Sequence, residues 1–433
     1  MKITIHRGTN QIGGCITEIQ SSKGNKILID LGHNLPNGDD NADDVFDKQE
    51  NLNAILKGVS DIFYSHYHGD HIGFEAKIPA TIKQHMGELA IKMVSMLKHH
   101  MIFAKDLKDD AEASLNALCK FEPYKAFERV QYGDIFVTPL PVSHSAVDAY
   151  MFLIECDGCM VLHSGDFRDH GYYATQKLDA IKNYLAQNVD VLITEGTMLG
   201  RGDKRVMSEQ ELQNEAVRKL KGRYNFILCS SMDIDRIVSF SKAREIIDKR
   251  IRIIADSYQV AQIKTVKKEL PYPYSELFAY PYGRDMKHEF PRMKRYGFMM
   301  FVRDSPSFEK RIDEVIAETG ILPSEINFVY SQFEGYIKED HKAFRPRLCN
   351  FVHRYNWNLI KLHTSGHASK EALRRLVEIT NPQMAIIPIH KEKDSNFAEL
   401  QLDSNLQDKI VTQSKCFEKQ VGNQKVRVEI EIK

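Results

Sequence analysis

Three imidazoles and a carboxylate fall within six consecutive residues, His66-Tyr-His68-Gly-Asp70-His71. Zinc takes neutral imidazole nitrogen and carboxylate oxygen at about 2.0 to 2.2 Å, and a loop with this spacing can aim alternate side chains at two adjacent ions. That spacing favours a metal site over a solvated polar turn. A catalytic zinc keeps one position open for water, so two ions need further ligands from elsewhere in the chain. His144 in Leu140-Pro-Val-Ser-His144, Asp166 in His163-Ser-Gly-Asp166-Phe167 and His390 in Ile386-Ile-Pro-Ile-His390 each follow an apolar run and are the candidates. His33 and His163 lie off the pattern and are read as ordinary histidines. The pair His99-His100 reads as exposed helix surface.

Every candidate sits where a strand gives way to a loop. Asp61 to Ser65 reads as a short apolar strand running straight into His66. Strands are also expected at Asp134 to Pro139, Ala149 to Glu155, Cys159 to His163 and Val189 to Thr194, after a β-rich opening and a helical stretch from Gly87 to Leu118. After Gly196 the texture alternates helix and strand, as in a parallel α/β unit: Ser208 to Leu220 helical, Asn225 to Cys229 strand, Asp233 to Lys249 helix, Arg252 to Ala255 strand. This alternation closes near Asn350. The tail reads as strand Leu359 to His363, helix Ser369 to Thr380, strand Met384 to Pro388 and a last strand from Lys425 to Ile432.

The 433 residues are enough for two or three domains at about 100 to 200 residues each. Lys plus Arg and Asp plus Glu are 59 each, so the whole-molecule field gives no sign of a nucleic-acid partner and any basic groove must be local. No apolar stretch approaches the roughly 18 residues of a membrane span, and the opening Met1 to Asn10 has no apolar signal region, so a cytoplasmic protein is expected. Seven scattered cysteines suit a reducing compartment rather than a disulfide framework. Cys156-Asp-Gly-Cys159 has CxxC spacing, but Asp-Gly between apolar runs is a hairpin-turn signal.

The order HxHxDH, later His, later Asp, final His resembles the metallo-β-lactamase superfamily, and the likeness runs through the whole chain. It implies an α/β fold, the αββα sandwich of that superfamily, and two zinc ions per chain, with manganese also compatible with mixed His and Asp ligands. His66, His68 and His144 would hold one ion, Asp70, His71 and His390 the other, and Asp166 would bridge them. Asp30, after Ile27-Leu-Ile29, matches the superfamily's first motif, whose residue orients a ligand rather than binding metal.

The metal core alone does not fix the substrate. Thr194-Glu195-Gly196-Thr197, Ser365-Gly366-His367-Ala368-Ser369 and His390 resemble the β-CASP nucleases, in which an α/β domain is inserted into the hydrolase domain. On that basis residues 1–200 and 351–433 are the two parts of the hydrolase domain and 201–350 the insertion. The resemblance implies that Glu195 and His367 pair near the ions, with His367 contacting the scissile phosphate, and that the ions activate a hydroxide for attack; Asp70, Glu195 and His367 are thus the catalytic candidates. A carboxylate holding an imidazole raises its basicity and fixes its tautomer. Ser365, Gly366 and Ser369 precede a helix whose N-terminus could take a phosphate. Ser230, Ser231 and Arg236 resemble a serine-rich turn of RNase J and would touch phosphate too. Arg284, Lys287, Arg292, Lys294, Arg295 and Tyr296 form a basic, aromatic stretch that either lines a strand-binding groove or is a solvated face, the second being favoured.

A histidine at the third β-CASP motif, His390, favours RNA over DNA. The chain is similar to RNase J and to the endonuclease of mRNA 3′-end formation, which implies a ribonuclease of endonucleolytic or 5′-exonucleolytic action. A homodimer is left open, because the sequence ends soon after its last strand without RNase J's extra C-terminal domain. Two rival readings remain: a hydrolase of a small molecule such as a thioester or lactone, and an RNA-binding relative that has lost catalysis.

Overall fold

A computed structural model of the chain describes all residues except 36–43, 104–106, 188, 202–204 and 284–285. The fold is mixed α/β with three sheets. Residues 1–35, 41–205 and 366–433 make up one compact unit and 206–365 the body of a second.

The first unit carries two sheets. One has eight strands in the order Lys415–Val421, Gln424–Ile432, Lys2–Arg7, Ile16–Gln20, Lys26–Ile29, Val59–Phe63, Lys83–Gly87, Glu122–Tyr124. The other has six, in the order Ala385–Ile389, Val191–Glu195, Cys159–His163, Ala149–Cys156, Ile135–Val142, Val130–Tyr132. Strand side chains alternate between faces, so one strand can feed two cores. In Val191–Glu195, Val191 and Ile193 join Ile3, Ile19, Ile29, Phe63 and Ile430 of the eight-stranded sheet, while Leu192 points the other way. The two sheets therefore pack face to face. On that far side Leu192, Leu153 and Ile386 pack with Ile181 and Leu185 of the helix Ala174–Leu185 and with Leu373, Leu376 and Val377 of Lys370–Thr380.

Pairing directions decide where the loops emerge. Cys159–His163, Val191–Glu195 and Ala385–Ile389 run parallel, so Asp166, Glu195 and His390 leave the sheet at one edge. Ile135–Val142 is antiparallel to Ala149–Cys156, itself antiparallel to Cys159–His163, so His144 emerges there too. In the facing sheet Lys26–Ile29 and Val59–Phe63 are parallel, which brings Asp30 and His66 out together.

The second unit is a six-stranded sheet, wholly parallel, in the order Tyr280–Pro281, Arg252–Ala255, Phe298–Val302, Tyr224–Leu228, Ile326–Tyr330, Asn358–Lys361. Its central strands read FMMFV and INFVY, near-continuous apolar runs that suit a sheet covered on both faces. Residues 351–365, assigned from the sequence to the closing part of the hydrolase domain, lie in this unit. The cause is the pairing of Asn358–Lys361 with Ile326–Tyr330, which makes it the sheet's edge strand.

The expected hairpin is present: Cys156 and Cys159 face each other across Asp157-Gly158, both turn residues have positive φ, and both thiols are free. Among the described residues no helix is long and apolar enough to cross a membrane.

Candidate metal centre

The strand Val59–Phe63 ends in a tight loop, and the four-residue helix Gly69–Ile72 then turns Asp70 and His71 back toward it. Space here is short: a Cβ on Gly32 would come 1.8 Å from the carbonyl oxygen of Asp70, so no larger residue fits beneath the loop. His66 Nε2 lies 3.0 Å from His68 Nδ1, and His144 Nε2 lies 3.2 Å from the same atom. These three nitrogens form one converging set. Burial and neighbouring imidazoles hold His66 and His144 well below the usual histidine pKa, and burial takes His68 down to about 4. All three are therefore neutral, with lone pairs free to bind a cation.

Carboxylates dominate the second set. Asp166 Oδ2 is 3.2 Å from His71 Nε2 and 3.4 Å from His390 Nε2, and Asp70 Oδ2 is 3.2 Å from His390 Nε2 and 3.8 Å from His71 Nε2. Burial opposes a charged His71, yet Asp166, Asp30 and Asp70 together raise its pKa well above the ordinary value. Burial likewise works to raise the Asp70 and Asp166 carboxyls, but the surrounding imidazoles hold both low. His71 Nε2 and Asp166 Oδ1 are buried without a hydrogen-bond partner. Buried polar atoms are rarely left so, and both belong to residues of one donor set of nitrogen and oxygen. The residues fit divalent cations, with His66 grouping with His68 and His144 on one side and with His71 and Asp166 on the other.

These side chains are held from behind. Asp30 Oδ2 lies 2.8 Å from His71 Nδ1, and its two oxygens also accept from Ser65 N and Ser65 Oγ at 2.7 and 2.8 Å. Ser65 Oγ is in turn 3.0 Å from His66 Nδ1. Thr197 Oγ1 is 2.7 Å from His390 Nδ1 and 3.2 Å from the His390 carbonyl oxygen, which allows the ring to donate to the hydroxyl and the hydroxyl to donate onward. Such outer contacts set tautomer and ring orientation. The roles of Ser65 and Thr197 were not read from the sequence. Thr197 stands in the stretch Thr194-Glu195-Gly196-Thr197, but only the fold brings it to His390. Cys15 was also missed as a neighbour: it is buried, with Sγ within 4.8 Å of the nitrogens of His71 and His390.

Glu195 is fully buried at the end of its strand, where Oε1 accepts from the amides of Phe167 at 2.9 Å and Ala368 at 3.4 Å. Its other oxygen is 3.2 Å from His367 Nδ1, which also lies 3.5 Å from Asp166 Oδ2. Burial would depress His367, but Glu195 and Asp166 outweigh it and raise its pKa. The His367 ring centroid is 5.2 Å from that of His144 and 5.3 Å from that of His390. Gly366 packs beside Ser145 and His144. Ser369 caps the helix Lys370–Thr380, its hydroxyl accepting from Ala372 N at 3.0 Å.

His163 is buried off the ligand set, bonded to Thr17 Oγ1 at 3.3 Å and accepting from Gly165 N at 3.1 Å. The remaining phosphate candidates, Ser230, Ser231, Arg236 and Ser365, belong to the second unit. Ser230 is exposed and Ser231 buried. The Arg236 side chain is wholly buried, with Nε 3.1 Å from Glu209 Oε2, Nη2 3.0 Å from Glu209 Oε1 and Nη1 2.6 Å from Ser331 Oγ, so it pins loops of its own unit.

No family model matches the chain. It is 22% identical over 390 residues to ribonuclease J of Mycoplasma genitalium, covering 84% of this chain and 63% of that protein. It is 22% identical over 416 residues to ribonuclease J of Helicobacter pylori, covering 90% of this chain and 56% of that protein. The resemblance is to ribonuclease J. This ribonuclease J-like chain spans less than two thirds of the length of those curated relatives. Its likeness to them fits the β-CASP subgroup of the metallo-β-lactamase superfamily that its motifs resemble. Among solved structures it is similar to a protein of unknown function from Enterococcus faecalis, with a TM-score of 0.67 at 18% identity over 90% of this chain and 94% of the other, a likeness of fold.

Proposed function

We propose that the chain is a metal-dependent phosphodiester hydrolase that cleaves RNA, built as a metallo-β-lactamase αββα sandwich interrupted by a β-CASP insertion. Similarity to ribonuclease J supports the substrate class, and the two converging donor sets support the metal dependence. The observation that carries the reading is His367: its Nδ1 is held 3.2 Å from Glu195 Oε2 beside Asp166, a third imidazole-carboxylate arrangement that two metal shells do not need.

His66, His68 and His144 would hold one ion, and Asp70, His71 and His390 the other, with Asp166 between them. Two zinc ions there would supply a water of lowered pKa at neutral pH and a positive clamp on the phosphate oxygens. Glu195 keeps the proton on Nδ1 of His367 and fixes the ring, so Nε2 is the atom that meets the phosphate or gives a proton to the leaving oxygen. Seven free thiols accord with a reducing, cytoplasmic setting.

His367→Ala tests the assignment. RNA cleavage should fall about 100-fold to 10,000-fold, the usual worth of a positioned acid or base, while bound metal per chain stays constant. Loss of metal together with activity would make His367 a ligand and remove the proposed role.

A further inference from the structure

The whole chain carries no net charge, yet one end of the second unit is crowded with arginine. The helix Met286–Tyr296 brings Arg292, Arg295 and Tyr296 to the start of the strand Phe298–Val302, beside the start of Arg252–Ala255. Because all six strands are parallel, this is the end of the sheet opposite the loops of Ser230 and Ser331, which follow strand C-termini. The guanidinium carbons of Arg250, Arg292 and Arg295 lie 5.2, 5.1 and 5.1 Å from the centroid of Tyr296. Arg252 lies 3.7 Å over Tyr280, whose ring meets half-exposed Phe278 edge-on at 4.8 Å.

Among the described residues, the carboxylates paired with these arginines are fewer than the arginines. Asp248 holds Arg250 at 2.7 Å, Glu289 stands 3.4 Å from Arg252, and Glu245 acts on Arg244. Arg244, Arg250, Arg252, Arg292 and Arg295 thus share Asp248, Glu289 and Glu245 among the described residues. Burial, with a smaller push from Arg292 and Arg244, holds Arg252 below the usual arginine value against the pull of Glu289. The Nε atoms of Arg244, Arg252 and Arg292 are buried without hydrogen-bond partners. Cations alternating with aromatic rings match the needs of a flexible polyanion whose bases stack, and basic grooves with aromatic platforms are how single strands are bound without sequence preference.

We propose that the strip Phe278, Tyr280, Arg252, Arg292, Tyr296 and Arg295 is a binding site for single-stranded RNA, with arginines on the phosphates and rings and guanidinium planes against the bases. The proposal rests on RNA being the substrate and extends it to a surface that holds the strand without cutting it. Arg284, part of the same sequence stretch, lies outside the described residues.

The test measures anisotropy of a 5′-fluorescein oligouridylate against the full chain in EDTA, where no cleavage occurs, over a range of salt concentrations. Parent chain, Arg252→Gln/Arg292→Gln/Arg295→Gln, Arg295→Glu alone and the control Lys415→Gln/Lys425→Gln/Lys433→Gln are compared, each checked for an unchanged thermal midpoint. Neutralising three phosphate contacts should make the slope of log affinity against log salt shallower by about 2, weaken binding at least about tenfold at low salt, and leave the control unaffected. Arg295→Glu should move in the same direction. Equal binding by parent and triple variant, equal loss in the control, or no binding by the parent overturns the proposal. Cleavage of the same RNA by the metal-loaded parent is scored separately, so failure of the strip is distinguishable from failure of the ribonuclease reading.

Discussion

Asp30 Oδ2 lies 2.8 Å from Nδ1 of His71, leaving the opposite ring nitrogen 3.2 Å from Asp166. The carboxylate accepts a hydrogen bond from Nδ1–H and so turns Nε2 toward the site. Asp30→Asn keeps the shape but loses that demand on the tautomer. Removing an outer partner of a ligating histidine typically costs 10-fold to 100-fold in metal affinity. A fall of about that size in chelator competition, with every ligand intact, is expected.

Thr197 does for His390 what Asp30 does for His71, through a neutral hydroxyl 2.7 Å from Nδ1. Thr197→Val preserves volume and removes the hydrogen bond. The expected result is metal affinity weakened about tenfold, at the mild end of that range, with the thermal midpoint of the metal-free chain little changed. An unaltered affinity would mean the ring is fixed by packing alone.

Arg236 and Glu209 are both wholly buried and joined at 3.0 Å. Removing one member of a buried pair strands the other charge, at a cost of about 3 to 5 kcal/mol. Arg236→Met should lower stability by that order in urea unfolding of the full chain. A variant of native stability that had lost RNA binding would instead support the phosphate-contact role expected from the sequence.

Asp256 caps the helix Ser257–Glu269, accepting from Gln259 N at 2.9 Å, and pairs with Arg303. Burial works to raise its pKa, but Arg303, the Gln259 amide and Arg311 hold it below the ordinary value. A depressed carboxyl stabilises the fold above its unfolded pKa, about 3.9, and that contribution fades as pH falls through the lower folded value. Asp256→Ala should therefore cost at least about 1 kcal/mol at neutral pH, from the lost cap. The gap between variant and parent should narrow only in acid.

Much of this was legible because metal chemistry constrains residue type and spacing together. His66, His68, Asp70 and His71 sit on one loop, and His144, Asp166 and His390 each follow an apolar run, so local pattern was enough to single out side chains that the fold brings together. What strand pattern did not supply was the polar edge. Lys83–Gly87 reads KQHMG and Glu122–Tyr124 reads EPY, strands too short and polar to carry a period-two signal. Contacts between distant residues were equally invisible: Thr197 is chosen by the fold as the partner of His390, and nothing in its neighbours marks it. The surroundings of Arg236 were no more visible. A serine-rich turn followed by arginine looks like a phosphate site, but burial against Glu209 is set by a helix 27 residues away.

The central claim is that this donor set cuts RNA. Metal-analysed protein incubated with matched 5′-labelled RNA and DNA, beside an Asp70→Ala/His71→Ala variant, tests it most directly. The account predicts about two bound ions per chain, cleavage of RNA in preference to DNA, and loss of both metal and cleavage in the variant. Bound metal with neither nucleic acid cut, or RNA cleavage undiminished in the variant, would contradict it.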